Sequence, residues 1–291
     1  MLCLEKGDIM SFVYAEKGDN SLDIHCDTKI ELDSFAGASF SLEQMELIRK
    51  YGIVKTTLVC PEISISFAGN NIYLASKLFN RLYKKRRFST KELVDMAYAI
   101  HMEGNINDIE FIIASCDEGV LSLICIKEHE IHTDCIFAWI GSHVAHREFQ
   151  EYRIKNNEGK ASDRTNGAFL EIVQGCSDKS VGGFHITVGY NSVENIIGYR
   201  RCKTFQNTNR QIIQSGKTVR FLVDAQEGGF SFELIPVSMD DLILRIDQME
   251  PAILYSKRAR MTERDMENSQ LFSLMLPMLI REDGNGKWIR L

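Results

Sequence analysis

Met10-Ser11 offers the shortest route to a reactive group in this sequence, because methionine removal before a small residue would expose a serine at the tip of the chain. A hydroxyl is a weak nucleophile at neutral pH unless a base takes its proton. A terminal residue carries such a base in its own α-amine, with a reference pKa near about 8. On this reading residues 1–10 are a propeptide or lie ahead of the true start. Taken alone, Ser11 is better explained as the first residue of an edge strand, and only the order of motifs given below brings the nucleophile reading level with it.

Other groups invite chemistry and carry less. His129 and His132, with Asp134 and Cys135 nearby, and His143 and His146 on one helix face raise metal binding. Their spacing matches no zinc-ligand pattern, so surface or structural histidines are expected, with no metal and no cofactor. The Ala68-Gly69-Asn70 loop opens a helix but lacks the glycines and lysine of a phosphate-binding loop. The basic run Lys84 to Arg87 closes a helical pattern, where positive charge suits the helix dipole, and reads as a solvated helix end.

The elements that must position these groups alternate between strands and helix pairs. SFVYAEKGDNSLDIHCDTKI reads as two strands around a turn at Lys17 to Asn20. Ser41 with Gln44 forms a capping box for a short helix that Gly52 closes. VKTTLVC and EISISFAG read as strands separated by Pro61, with Ile63, Ile65 and Phe67 on one face. Ile72, Leu74, Leu78 and Leu82 mark one helix, and Ser89 with Glu92 caps the next, through Met102. Three β-rich stretches follow, DIEFIIASCD, GVLSLICIKEHE and IHTDCIFAWIGS. Then come helical patterns at His143 to Tyr152 and Gly167 to Gly175, and the strand FHITVGY. Beyond a boundary near Cys202, VRFLVDA and FSFELIPV flank QEGG as a hairpin and MDDLILRIDQM reads as a helix. LFSLMLPMLI is apolar without periodicity.

Composition excludes several classes. The 291 residues are 44% hydrophobic, enough for a sizeable core, and the net charge of -6 gives no basic field for nucleic acid or an anionic membrane. No apolar run reaches membrane-spanning length, and the first ten residues lack a secretory pattern. Eight scattered cysteines without a C-x-x-C pair suit a reducing, cytoplasmic setting.

From about Ser11 to Tyr190 the order of motifs resembles the proteasome β-subunit family, bacterial relatives included. Ser11-Phe12-Val13-Tyr14 leads to Asp27-Thr28-Lys29, Lys55 precedes Ala68-Gly69, AWIGSH supplies Gly141-Ser142, and Asp178-Lys179-Ser180-Val181-Gly182-Gly183 echoes the family's late Asp-x-x-Ser-Gly-Gly element. The resemblance implies an α+β chain folded as a four-layer αββα sandwich of the N-terminal-nucleophile hydrolase type, spanning 11–201, with 202–291 as a C-terminal extension of hairpin plus helix. It also implies the site: Ser11 as nucleophile, Lys55 lowering its pKa, Asp27 anchoring Lys55, Ser142 and Asp178 orienting the amine, and the Gly69 N–H as oxyanion donor.

The function implied is hydrolysis of peptide or amide bonds through an acyl-enzyme. It would take place inside a ring of identical subunits that admits unfolded protein, with an ATP-driven unfoldase as the partner class. The sequence departs from the family at three places: Met10 stands before the nucleophile, His143 is third in the Gly-Ser turn, and Val181 replaces the late serine. A second expectation of a different class follows from these departures, a non-catalytic scaffold of the same fold that uses its C-terminal region for assembly.

Overall fold

Strand β1 (Phe12–Lys17) shows how this chain builds its layers, because its side chains alternate between two different cores. Val13 and Ala15 enter a cluster between two sheets, while Phe12 and Tyr14 enter another beneath a pair of helices. That is the period-two signature of a strand buried on both faces. The computed structural model describes residues 11–30, 41–83, 87–155, 161–200, 211–215, 218–222, 232–237, 239–246, 249–257 and 275–291. Residues 1–10, the basic run at 84–86 and the expected boundary at Cys202 lie outside them.

The chain is a mixed α+β protein, with antiparallel sheets and five helices among the described residues. In one five-stranded sheet β1 pairs with β2 (Leu22–Cys26) and β8 (Phe137–Gly141), and β2 continues to β9 (Ile186–Asn191) and β10 (Ile196–Tyr199). The second sheet runs β3 (Thr56–Cys60), β4 (Ile63–Ala68), β5 (Glu110–Asp117), β6 (Val120–Lys127) and β7 (Glu130–His132). Ile24, Val188 and Ile140 of the first sheet share a core with Ile112, Leu123 and Ala68 of the second. The opposite face of the second sheet packs Phe67, Phe111 and Ile126 against α2 (Ile72–Tyr83) and α3 (Thr90–His101). The outer face of the first sheet meets α4 (His143–Lys155) and α5 (Ala161–Gly175) through Phe149, Phe169 and Ile172.

The expected caps are present. The Ser41 hydroxyl accepts from the Gln44 amide and the Gln44 side chain accepts from the Ser41 amide, which opens α1 (Leu42–Tyr51). Ser89 caps α3 through the Glu92 amide. Turn 18–21 closes β1 onto β2 with a bond from the Gly18 amide to the Ser21 carbonyl, 2.8 Å.

Three expectations are corrected. IHTDCIFAWIGS is two strands in different sheets. Glu128 and His129, at φ 53° and 62°, turn β6 back into β7, and β8 begins at Phe137 in the first sheet. A two-residue hairpin with both φ values positive ordinarily takes Asn-Gly, so Glu-His gave no signal. MDDLILRIDQM is strand β14 (Asp241–Ile246), paired with β15 (Met249–Ser256). Leu242 and Leu244 enter the central core while Ile243 joins a cluster on the opposite side. A strand apolar on both faces reads like a short helix. Among the described residues VRFLVDA and FSFELIPV find other partners: β12 (Thr218–Leu222) joins β11 (Gln211–Ser215), and β13 (Phe232–Pro236) joins β14. Gln226 to Gly229 fall outside the described residues.

The C-terminal sheet runs β13-β14-β15-β16-β17, with β16 at Pro277–Glu282 and β17 at Trp288–Arg290. It is joined to the rest of the molecule rather than tethered to it. The Tyr255 hydroxyl donates to the Tyr51 carbonyl (2.7 Å), Val54 bridges Met275, and Leu234, Leu244 and Ile253 belong to the central core. Among the described residues no helix is long and apolar enough to cross a membrane.

Candidate active site

The site is built where β1 begins, β2 ends and β3 begins. Asp27 follows β2 directly and is wholly buried. One carboxylate oxygen, Oδ1, accepts from the Phe12 amide at 2.9 Å and from the Lys55 ammonium at 2.6 Å. The other, Oδ2, accepts from the Gly182 amide at 3.1 Å. Lys55, also wholly buried, donates further to the Lys29 carbonyl at 2.5 Å. Burial pushes Asp27 up from its ordinary pKa, opposed by Lys55 and then by the two amides. Burial likewise pushes Lys55 down, opposed by Asp27. Such a pair is costly to desolvate, and removing one partner is costlier still.

Ser11 sits beside this cradle, one residue before the amide that Asp27 holds, and is itself buried. Its φ of 153° is unusual for a residue with a side chain. Its carbonyl accepts from the Ser142 amide at 2.8 Å. The neighbouring Gly141 has φ 94°, and a Cβ there would stand 2.1 Å from the Ser11 carbonyl oxygen, so only glycine fits. The Ser142 hydroxyl donates to Asp178 and also accepts the Ala145 amide (3.1 Å), which caps α4.

Of the six expected site residues, Asp27 and Lys55 are bonded to each other, Ser142 and Asp178 are bonded to each other, and the Ser11–Phe12 peptide links the two pairs, its carbonyl accepting from the Ser142 amide and its N–H donating to Asp27. Gly69 follows β4 near them, since the preceding Ala68 methyl lies 3.1 Å from where a Gly141 Cβ would sit. A Cβ on Gly69 would meet the Asp108 carbonyl at 2.3 Å, which explains the glycine by close backbone approach. The long interval between Asp27 and Lys55 holds α1, and the Ile53 amide donates back to the Thr28 carbonyl at 2.8 Å, which returns β3 to the cradle.

Sequence reasoning missed three contributors. Ser180, one position before the expected place, donates to Asp178 at 2.6 Å, while Val181 turns into the apolar cluster under the helices. Gly182 closes the cradle with its amide to Asp27, and its carbonyl accepts from the Thr28 and Lys29 amides (3.2 and 3.0 Å). Glu110, the first residue of β5, is buried and accepts from the Gly141 amide at 2.8 Å. Burial raises its pKa to about 7. A lone carboxylate at the head of an apolar strand carried no sequence signal for this role.

The four clustered histidines have other occupations. His146 stacks on Trp139 at 4.1 Å and His143 meets the same ring edge-on at 4.8 Å. The His129 ring meets His101 edge-on at 5.2 Å, and His132 Nε2 lies 3.7 Å from the Glu130 carboxylate. Among the described residues no three His, Cys, Asp or Glu side chains gather as a metal-holding group.

No family model matches the chain, and no curated protein sequence matches it.

Proposed function

We propose that this chain is an N-terminal-nucleophile hydrolase of proteasome-like type, its two facing sheets and flanking helix pairs forming a four-layer αββα sandwich. The observation that carries this reading is the wholly buried Lys55 ammonium. It shares one Asp27 oxygen with the backbone amide next to Ser11. Asp27 and the Lys29 carbonyl fix the direction of that ammonium, and in the proposed reaction its charge favours the Ser11 alkoxide electrostatically.

In this mechanism the Ser11 α-amine takes the hydroxyl proton, the alkoxide attacks a peptide carbonyl, and an acyl-enzyme forms that water then cleaves. The Ser142–Asp178–Ser180 bonds order the turn whose amide holds the Ser11 carbonyl. Gly69 supplies the oxyanion amide. Ring assembly of identical subunits, unfolded protein as substrate, an unfoldase partner and a cytoplasmic setting belong to the same proposal.

One observation favours a second reading, a non-catalytic scaffold of this fold. In the full chain the Ser11 nitrogen is part of the Met10–Ser11 peptide bond and cannot act as a base. The chain started at Met10, with that methionine removed, separates the two. On fluorogenic peptides the hydrolase reading expects turnover that Ser11→Ala abolishes. Turnover retained by Ser11→Ala rejects it, and a complete lack of turnover in the exposed form supports the scaffold.

A further inference from the structure

Two histidines that the proposed mechanism does not use meet behind Asp27, on the outer face of the first sheet. His25 of β2 and His185, just before β9, bring Nδ1 and Nε2 to 2.9 Å. Both are about 1% exposed. Phe169 of α5 stacks on the His185 ring at 4.8 Å and lies against His25 at 5.6 Å. The Thr187 hydroxyl lies 3.2 Å from His185 Nε2. His25 Nε2 and His185 Nδ1 are buried with no hydrogen-bond partner among the described residues.

One nitrogen–nitrogen hydrogen bond needs an N–H on one ring and a lone pair on the other. A first added proton therefore places a charge in this dry layer, and a second leaves two donors facing each other. The neighbouring elements offer little to hold such a charge. β1 presents Tyr14 and Glu16, α4 presents Arg153, β2 presents Asp23, and Arg200 follows β10. Glu16 pairs with Arg153 at 3.3 Å and Asp23 with Arg200 at 2.9 Å. α5 contributes Phe169 and Thr165, neither of which is charged, and β9 contributes Thr187. Burial accordingly pushes both histidines down, His185 to about 3, and His185 itself, Arg200 and Arg153 lower His25 further.

The pair joins the two segments that close on the candidate site. His25 stands two residues before Asp27. His185 stands three after Gly182, whose amide donates to Asp27 and whose carbonyl holds the Thr28 and Lys29 amides. We infer that the His25–His185 pair is a positioning device that makes the Asp27 cradle acid-sensitive, proton uptake parting segment 178–185 from β2 and freeing Gly182 from Asp27. The inference stands whether or not the chain is a hydrolase, because its readout is structural.

The direction follows from linkage. Folded-state values below the unfolded value near about 6.5 mean that the pair contributes fully above that pH. The contribution is lost as pH falls below it, roughly tenfold in the opening constant per pH unit for each histidine that charges on opening.

Amide hydrogen exchange on the full chain between pH 7 and 5, corrected for intrinsic rates, tests this. The expected result is that peptides covering 178–187 lose protection about ten- to hundredfold per pH unit while α2 and α3 stay protected. The double variant His25→Phe/His185→Leu should flatten that slope. Should the double variant not fold, His185→Gln keeps a hydrogen-bonding group that cannot titrate and should show a slope reduced by about tenfold per pH unit. An unchanged slope in whichever variant folds overturns the inference. So does wild-type loss of protection that strikes α2 and α3 equally.

Discussion

Each five-stranded sheet of the two-sheet body carries a helix pair on its outer face, yet the two sheet–helix layers differ in kind. Beneath α2 and α3 lie twenty-four buried apolar residues, Phe67, Leu78, Phe79 and Phe111 among them. Beneath α4 and α5 lie ten, interleaved with His25, His185, Thr165 and Thr187. The groups capable of chemistry gather on the second of these sides and at its junction with β3. Polar atoms in a dry layer reduce stability unless each is paired, so their presence marks where something other than packing shaped the chain. The first layer also buries Ser76 and His101, but Ser76 donates to the Tyr73 carbonyl (2.8 Å) and both His101 ring nitrogens meet backbone groups, whereas His25 Nε2 and His185 Nδ1 have no hydrogen-bond partner among the described residues. The first layer is the platform, and the second borders the candidate site.

Breaking the cradle should have the largest effect. Lys55→Met leaves the Asp27 carboxylate buried and without its cation, with an expected loss of about 3–5 kcal/mol in urea denaturation. Adding Asp27→Asn should recover at least half of that while leaving any hydrolysis abolished. A double variant no more stable than the single would show that the pair is not energetically coupled. In the apolar layer Leu78→Ala should cost about 3 kcal/mol through cavity formation. It should leave the pH dependence of exchange at 178–187 untouched, so a changed pH profile would break the contrast between the layers.

Glu110 sharpens the comparison at smaller magnitude. Its folded pKa of about 7 lies above its ordinary 4.5, so the folded protein holds a proton there that the unfolded chain releases. Stability therefore falls as pH rises through that window. Glu110→Gln keeps an acceptor for the Gly141 amide without the buried charge. The variant should equal the wild type near pH 4.5 and exceed it by about 2–3 kcal/mol at pH 8, read by denaturation at both pH values. The smallest effect belongs to Lys77–Glu103, a surface pair on the platform side. Lys77→Ala should shift stability by less than about 1 kcal/mol, and less again in high salt.

What was legible in the sequence follows the same division. The capping box at Ser41, the N-cap at Ser89 and the alternation of β1 and β4 fixed elements locally, because one local rule decides each. The contacts among Asp27, Lys55, Ser142 and Asp178 could be anticipated only through the order of motifs, since they join residues far apart in the chain. Ser180 was hidden by a shift of one position, and the His25–His185 pair by separation, as each histidine alone resembles an ordinary strand residue. The C-terminal region was read least well. β14 is apolar on both faces because it lies between two clusters, and no periodicity survives that arrangement.

The central claim is that Ser11 becomes the first residue of the working protein, beside the Lys55–Asp27 pair. An intact mass with N-terminal sequencing, taken on protein purified from its own host, tests it most directly. The account predicts a mass lacking residues 1–10 and a first cycle reading serine. A mature chain that still carries Met10 ahead of Ser11 would contradict it.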